Sequence, residues 1–162
     1  MAGQSLRDID CAISQTLAVV GEWWTLMILR NAFHGMRRFD AFQQDLGIST
    51  SVLAARLKTL TEAGILRRER SALDGRSYEY RLTEKGLDLY PLLIAMKDWG
   101  EKWCPSPDGA RIELLEKATG RPVRGTAVLS QDGRVLDARE VRPVAGPGAD
   151  PAMQRLLDCR EQ

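Results

Sequence analysis

The feature that most limits the fold is a short break, Gly47-Ile48-Ser49, between two amphipathic segments. Residues 39–46 place Phe39, Phe42 and Leu46 at i, i+3 and i+7, one face of a helix. Gly47 follows where helices commonly stop in a left-handed cap. Ser49 is a good N-cap for a second helix over residues 50–62, with Ile48 and Leu53 at the two positions of a hydrophobic staple. That helix turns Leu53, Leu57 and Leu60 to one side and stops at Ala63-Gly64. Two short helices joined by so tight a turn predict a helix-turn-helix.

The flanking segments extend this unit into a winged fold. Ile13, Leu17 and Val20 form one helical stripe, broken by Gly21. Residues 24–33 are apolar nearly all round, as in a helix at the centre of a core. After residue 64 come two extended pieces, residues 65–70 and 77–82, with an Asp74-Gly75 turn signal between them. This pattern predicts a β-hairpin, and its place directly after the second helix makes it a wing. Thr83 then opens a long helix whose stripe is Leu89, Leu92, Leu93, Met96, Trp99 and Trp103, with Pro91 expected to weaken or bend it. Beyond residue 104, residues 111–117, 123–130 and 134–137 read as strands, the last two joined at Asp132-Gly133. Gly146-Pro147-Gly148 marks a break before a short helix over residues 151–160. The expected class is mainly α (α+β). A winged helix-turn-helix domain with a long dimerisation helix fills residues 1–104, and a small β-rich extension fills residues 105–162.

Bulk charge says little about a partner, because 162 residues carry a formal net charge of only +1. Its distribution is more informative. Between residues 35 and 76, eight basic residues face five acidic ones, whereas residues 105–162 are balanced at nine and nine. Three scattered cysteines (Cys11, Cys104 and Cys159) and one histidine (His34) make neither a disulfide framework nor zinc-ligand spacing. No metal and no cofactor is expected. Neither a signal peptide nor an apolar run of membrane-spanning length is present, so the location expected is cytoplasmic, with no membrane partner. His34 lacks a neighbouring nucleophile, and no phosphate loop or dinucleotide fingerprint occurs, so an enzyme is not expected.

Several of these residues form a recognisable set. They begin with Cys11 and the run Gly21-Glu22-Trp23-Trp24-Thr25 leading into Ile28-Leu29-Arg30. Arg38-Phe39, Gly47-Ile48-Ser49, Leu53, Arg56-Leu57, Leu60 and Gly64 follow, then Tyr80-Arg81-Leu82-Thr83-Glu84-Lys85-Gly86. In order and spacing, residues 11–103 resemble the HxlR-type regulators, winged-helix bacterial transcription factors related to the MarR type. The resemblance implies a homodimer on a palindromic operator, usually as a repressor. It also implies a place for Cys11, since some relatives sense oxidants or electrophiles with a cysteine there. Longer relatives often carry cysteine pairs in a C-terminal extension; here Thr119, Leu129 and Asp132 stand at those places, which argues against zinc.

The candidate partners and site residues follow. In a helix-turn-helix the second helix enters the major groove of double-stranded DNA with its N-terminal residues at the base edges. Those residues are Ser49, Thr50 and Ser51, with Ala55, Arg56 and Thr59 further along the expected exposed face. Arg56 is the candidate for bidentate guanine recognition, phosphate contact being the alternative. Lys58, Arg38 and the wing's Arg70 and Arg76 suit phosphate contacts, or are simply solvated. The stripe ending at Trp103 needs a partner, and a second copy with the first helix is the expected one. Cys11 opens a helix, which lowers a thiol pKa, while Asp8 and Asp10 oppose that. Trp23, Trp24, Met96, Trp99 and Trp103 could line an apolar pocket for a small-molecule effector, or be plain core. A winged-helix protein–protein adaptor is the competing reading; the small polar face at Ser49-Thr50-Ser51 argues against it.

Overall fold

The computed structural model describes residues 6–72 and 75–158. The chain divides into two compact units, one of residues up to Leu87 together with those from Arg142 onward, and one of Asp88–Val141.

The first unit is built on helices α1 (Ala12–Val20), α2 (Trp23–Phe33), α3 (Phe39–Leu46) and α4 (Thr50–Glu62). Strands β1 (Leu66–Arg70) and β2 (Tyr78–Leu82) and a single helical turn, α5 (Glu84–Leu87), complete it, and α7 (Pro151–Asp158) belongs to it as well. Its core is made by the stripes read from the sequence. Ile28 and Leu29 of α2, Phe42 of α3, and Leu53, Leu57 and Leu60 of α4 are fully buried. Burial of each such side chain contributes about 1.5–3 kcal/mol. Two polar side chains of α2, Thr25 and Asn31, are buried with this core. Asn31 donates from Nδ2 to Asp45 Oδ2 at 2.6 Å and accepts from Arg30 Nε at 2.9 Å, tying α2 to the last turn of α3. The burial of Asn31 is thereby compensated.

The turn between α3 and α4 has the expected caps. Gly47 is left-handed (φ 63°), and Ser49 accepts from the Val52 amide. The wing is an antiparallel β1–β2 ladder running from Leu66↔Leu82 to Arg70↔Tyr78. Its turn residues Leu73 and Asp74 lie outside the described residues. The segment before α3 adds to its edge, because Tyr80 donates to Arg37 O at 2.8 Å and Arg38 bridges Glu79. Glu69 and Glu79 lie directly opposite, a destabilising pair of like charges. Arg81 offsets the repulsion by pairing with both carboxylates.

The helix expected after Thr83 is broken in two. Thr83 Oγ1 accepts from the Gly86 amide and donates to Gly64 O, so α5 is clamped onto the turn that follows α4. The fit is close: a Cβ on Gly86 would lie 2.3 Å from Ile65 O. The chain leaves the helix at Asp88 and Leu89 and restarts as α6 (Tyr90–Trp103), with Pro91 in its first turn. Proline has no N–H to continue the earlier ladder, but it suits a helix start, so it separates two helices where a bend had been expected.

Within the second unit, α6 is followed by an irregular segment. Here the expected strands shrink to single bridges, Leu115↔Pro122 and Leu129↔Val135. Pro122 lacks a ladder donor, and Gly120 and Gly125 adopt positive φ, so each piece turns away before a ladder can build. The tight turn at Asp132-Gly133 is present, with Ser130 N donating to Arg134 O. No helix among the described residues is both long and apolar enough to cross a membrane by itself.

Candidate nucleic-acid interface

The exposed side of α4 is set by its buried side. With Leu53, Leu57 and Leu60 inward, Ser51, Ala54, Ala55 and Lys58 are exposed at i, i+3, i+4 and i+7, one continuous face. Ala54 had not been singled out from the sequence, although the same spacing places it there. Ser49 and Thr50 are exposed at the N-terminal end of α4. Ser49 Oγ caps the helix and lies 3.2 Å from Ser51 Oγ. Thr50 Oγ1 accepts from Gln43 Nε2 at 2.9 Å, so α3 steadies the start of α4 through a residue that sequence reasoning missed.

Arg56 and Thr59 do not share this face. Thr59 is half-buried and donates to Ala55 O of its own helix. Arg56 turns back into the domain, where Nε lies 3.1 Å from Glu22 Oε2. That oxygen also accepts the amides of Trp24 (3.0 Å) and Thr25 (3.3 Å), capping α2. The Arg56 contact is an ion pair without good hydrogen-bond geometry at Nε. Its Nε is therefore engaged beside the α2 cap, and the side chain is half-buried, between the buried leucines and the exposed face of α4. Only the carboxylate 34 residues earlier makes this visible, and helix periodicity carries no trace of it.

The remaining cations surround the face. Lys58 is well exposed and 3.7 Å from Glu62 one turn on. Arg38 grips Asp40 with Nε at 3.1 Å and Nη2 at 3.3 Å, and reaches Ser77 Oγ at the turn end of the wing. The Arg38 hydrogen bond holds the Asp40 carboxyl below its ordinary range. On the wing, Arg70 and Arg76 are exposed, as are Arg67 and Arg68. The Arg68 guanidinium stacks 3.8 Å above the Tyr78 ring, which holds it in place. Toward the turn end of the wing, Glu79 is buried and accepts from Ser71 Oγ at 2.8 Å. That bond, with the Arg81 bond and charge, keeps its carboxyl below the ordinary value.

Cys11 is the N-cap residue of α1 and only partly exposed. The amides of Ser14, first, and Ile13 favour its thiolate and lower its pKa; burial and the Asp10 charge oppose them. Neither amide makes a full cap hydrogen bond. Asp10 therefore matters less than the sequence suggested. Trp23 and Trp24 stack on each other at 3.7 Å between ring centroids. In the second unit, Met96, Trp99 and Trp103 are exposed along α6. Among the described residues, no three His, Cys, Asp or Glu side chains converge as a metal site.

Known proteins share this arrangement. A family model described as HxlR-like helix-turn-helix matches residues 19–108. The chain belongs to the HxlR family. Among its relatives is the uncharacterised HTH-type transcriptional regulator Rv3095 of Mycobacterium tuberculosis, 38% identical over 137 residues, which span 85% of this chain and 87% of that one. YdeP of Bacillus subtilis, another HTH-type regulator, is 34% identical over 67% of this chain and 81% of its own. The solved chain of PA1607, a candidate transcription factor, superposes with a TM-score of 0.81 at 38% identity, covering 88% of this chain and all of that one. The redox regulator HypR in its oxidised form gives a TM-score of 0.52 at 33% identity, over 57% of this chain and 96% of its own. As an HxlR protein, the chain is a transcriptional regulator with a helix-turn-helix DNA-binding domain, and the family and these relatives are regulators and not enzymes.

Proposed function

We propose that this HxlR protein is a homodimeric repressor that binds a palindromic operator. The exposed face of α4, bordered by the cationic wing, carries the reading. Ser51, Ala54 and Ala55 meet base edges in the major groove, and Ser49 and Thr50 approach the backbone at its rim. The two alanine methyls suit the methyl group of thymine, and their small size lets the helix come close. Lys58, Arg38, Arg70 and Arg76, with Arg68, face phosphates. Arg56 supports the reading helix from behind without touching bases. Two copies are needed because one helix reads too few base pairs. The exposed apolar side chains Ile13, Leu17 and Trp23 of the first unit and Met96, Trp99 and Trp103 of the second supply surfaces for the second copy.

Fluorescence anisotropy with DNA from upstream of the chain's own coding region, across a salt series and with competitor, tests this. Selective binding that falls steeply with salt is the expected result. Failure to select any fragment from a genome-wide pool would leave the adaptor reading standing.

We further propose that release follows oxidation or electrophile attack at Cys11. The lowered thiol pKa at the start of α1 and the likeness to the redox regulator HypR support it. Cys11→Ser should abolish oxidant-induced release while leaving DNA binding intact. Should release persist in that variant, a small-molecule effector beside Trp23 and Trp24, or along Met96, Trp99 and Trp103, becomes the reading to test.

A further inference from the structure

A threonine within a helix can spend its hydroxyl proton on the helix itself. Thr16, Thr59 and Thr61 do so, each donating to the carbonyl four residues back, at 2.9, 3.0 and 2.7 Å. Thr50 is placed differently. It is the first residue of α4, and the residue four back, Leu46, ends the other helix of the pair. Its hydroxyl accepts instead, from Gln43 Nε2 at 2.9 Å. A hydroxyl has one proton and two lone pairs, and an amide nitrogen only donates. With that donor seated on Thr50 Oγ1, the threonine's own proton is directed to an acceptor outside the pair.

The turn between the two residues holds them in register. Left-handed Gly47 donates its amide to Gln43 O at 3.0 Å, which closes α3 at that residue. Ile48, 6% exposed, anchors the turn in the core. Gln43 is half-buried, whereas Thr50 is exposed beside Ser51.

We propose that Gln43 is a positioning residue for operator binding: its side-chain amide fixes the Thr50 hydroxyl as a hydrogen-bond donor to a phosphate oxygen of the DNA backbone. The proposal rests on the reading above, in which Thr50 approaches the backbone. It goes beyond that reading by giving the contact a polarity and by assigning the residue of α3 that sets it. A phosphate oxygen fits because it accepts and does not donate, and a hydroxyl giving to an ionised oxygen makes one of the stronger hydrogen bonds. Gln43 is neutral, so it neither repels a phosphate nor releases counterions. Its contribution lies in direction, apart from the salt-dependent attraction that the lysine and arginines supply.

The test uses fluorescence anisotropy of the full chain on a DNA fragment that it selects, for wild type, Thr50→Val, Gln43→Leu and the double variant. Thr50→Val keeps the shape and removes the hydroxyl, and should weaken binding about tenfold or more. Gln43→Leu should weaken it about threefold or more, but not further when combined with Thr50→Val. Neither substitution should change the slope of log affinity against log salt. Titrations on DNA whose phosphates are replaced one at a time by neutral methylphosphonates read the contact itself. At one phosphate the replacement should weaken the wild type and cost both single variants much less, a pattern that a purely structural role of Gln43 would not produce. Equal losses from Gln43→Leu with and without the Thr50 hydroxyl, or the same methylphosphonate pattern in that variant as in wild type, would overturn the positioning role and leave DNA binding standing. A wild type that selects no DNA would overturn both. Should Gln43→Leu fail to fold, Gln43→Glu keeps the length and polarity but offers Thr50 an acceptor in place of a donor, and the same pattern at that phosphate decides the matter.

Discussion

One oxygen, Glu22 Oε2, holds both Arg56 of α4 and the amides of Trp24 and Thr25 in the first turn of α2. The N-terminus of one helix is therefore tied to the flank of another through a single carboxylate. Glu22→Ala should destabilise the domain by about 1 kcal/mol through the lost cap, with little added by the half-exposed ion pair. Thermal melts of Glu22→Ala, Arg56→Ala and the double variant would measure the coupling. In DNA binding, Arg56→Ala should weaken all sequences alike, whereas Ala55→Ser should alter the preferred base. Loss of base preference in Arg56→Ala would restore that arginine as a direct reader.

The wing predicts a salt effect. If Arg70 neutralises a phosphate in each copy, Arg70→Ala should reduce the slope of log affinity against log salt by about 2 per dimer. Its effect on sequence preference should be negligible. An unchanged slope would place Arg70 off the DNA.

Gly86 reports on packing between α5 and the start of β1. A methyl there would meet Ile65 O at 2.3 Å, backbone that cannot swing aside. Gly86→Ala should therefore cost about 1–3 kcal/mol, read in denaturant melts, even though alanine favours helix. A neutral or stabilised variant would mean that the turn holding Ile65 yields easily.

Acid should loosen the wing before the helices. The Glu79 carboxyl is kept below its ordinary value first by Ser71 and then by Arg81. A depressed carboxylate contributes stability that is complete above its unfolded value of about 4.3 and is lost as pH falls through the folded one. Stability measured from pH 7 down to pH 3 should thus decline at the acid end, and Glu79→Gln should flatten that decline. An identical pH dependence in the variant would assign the acid sensitivity to other carboxylates.

Much of the architecture was legible because it depends on neighbours in sequence. Gly47, Ser49 and the leucine stripe fix α3 and α4 to the residue, since cap and periodicity act within one turn. Pro91 was recognised as a disturbance, but whether it bends a helix or separates two depends on the clamp that Thr83 and Gly86 make with the α4 turn, some 20 residues earlier. Residues 111–117, 123–130 and 134–137 read as strands, yet only single bridges form. Strand length, however, is set by pairing partners, and Pro122 and Gly125 interrupt those. On the reading helix, Arg56 sits about 60° from the leucine stripe at 100° per residue, close enough to turn inward once Glu22 is there to receive it. Ala54 is exposed beside Ala55, although it follows the first buried leucine of α4 directly.

The face made by Ser51, Ala54 and Ala55 has a thermodynamic consequence. Alanine has no rotamers to lose and serine few, so this patch can be pressed against a rigid surface with almost no loss of side-chain freedom. Readers built on long arginines or glutamines must freeze several torsions for each contact they make. On the proposed reading, discrimination between sequences rests on shape, on whether a methyl finds room or a clash. A single added carbon on this face would then alter selectivity as much as the removal of a charge elsewhere.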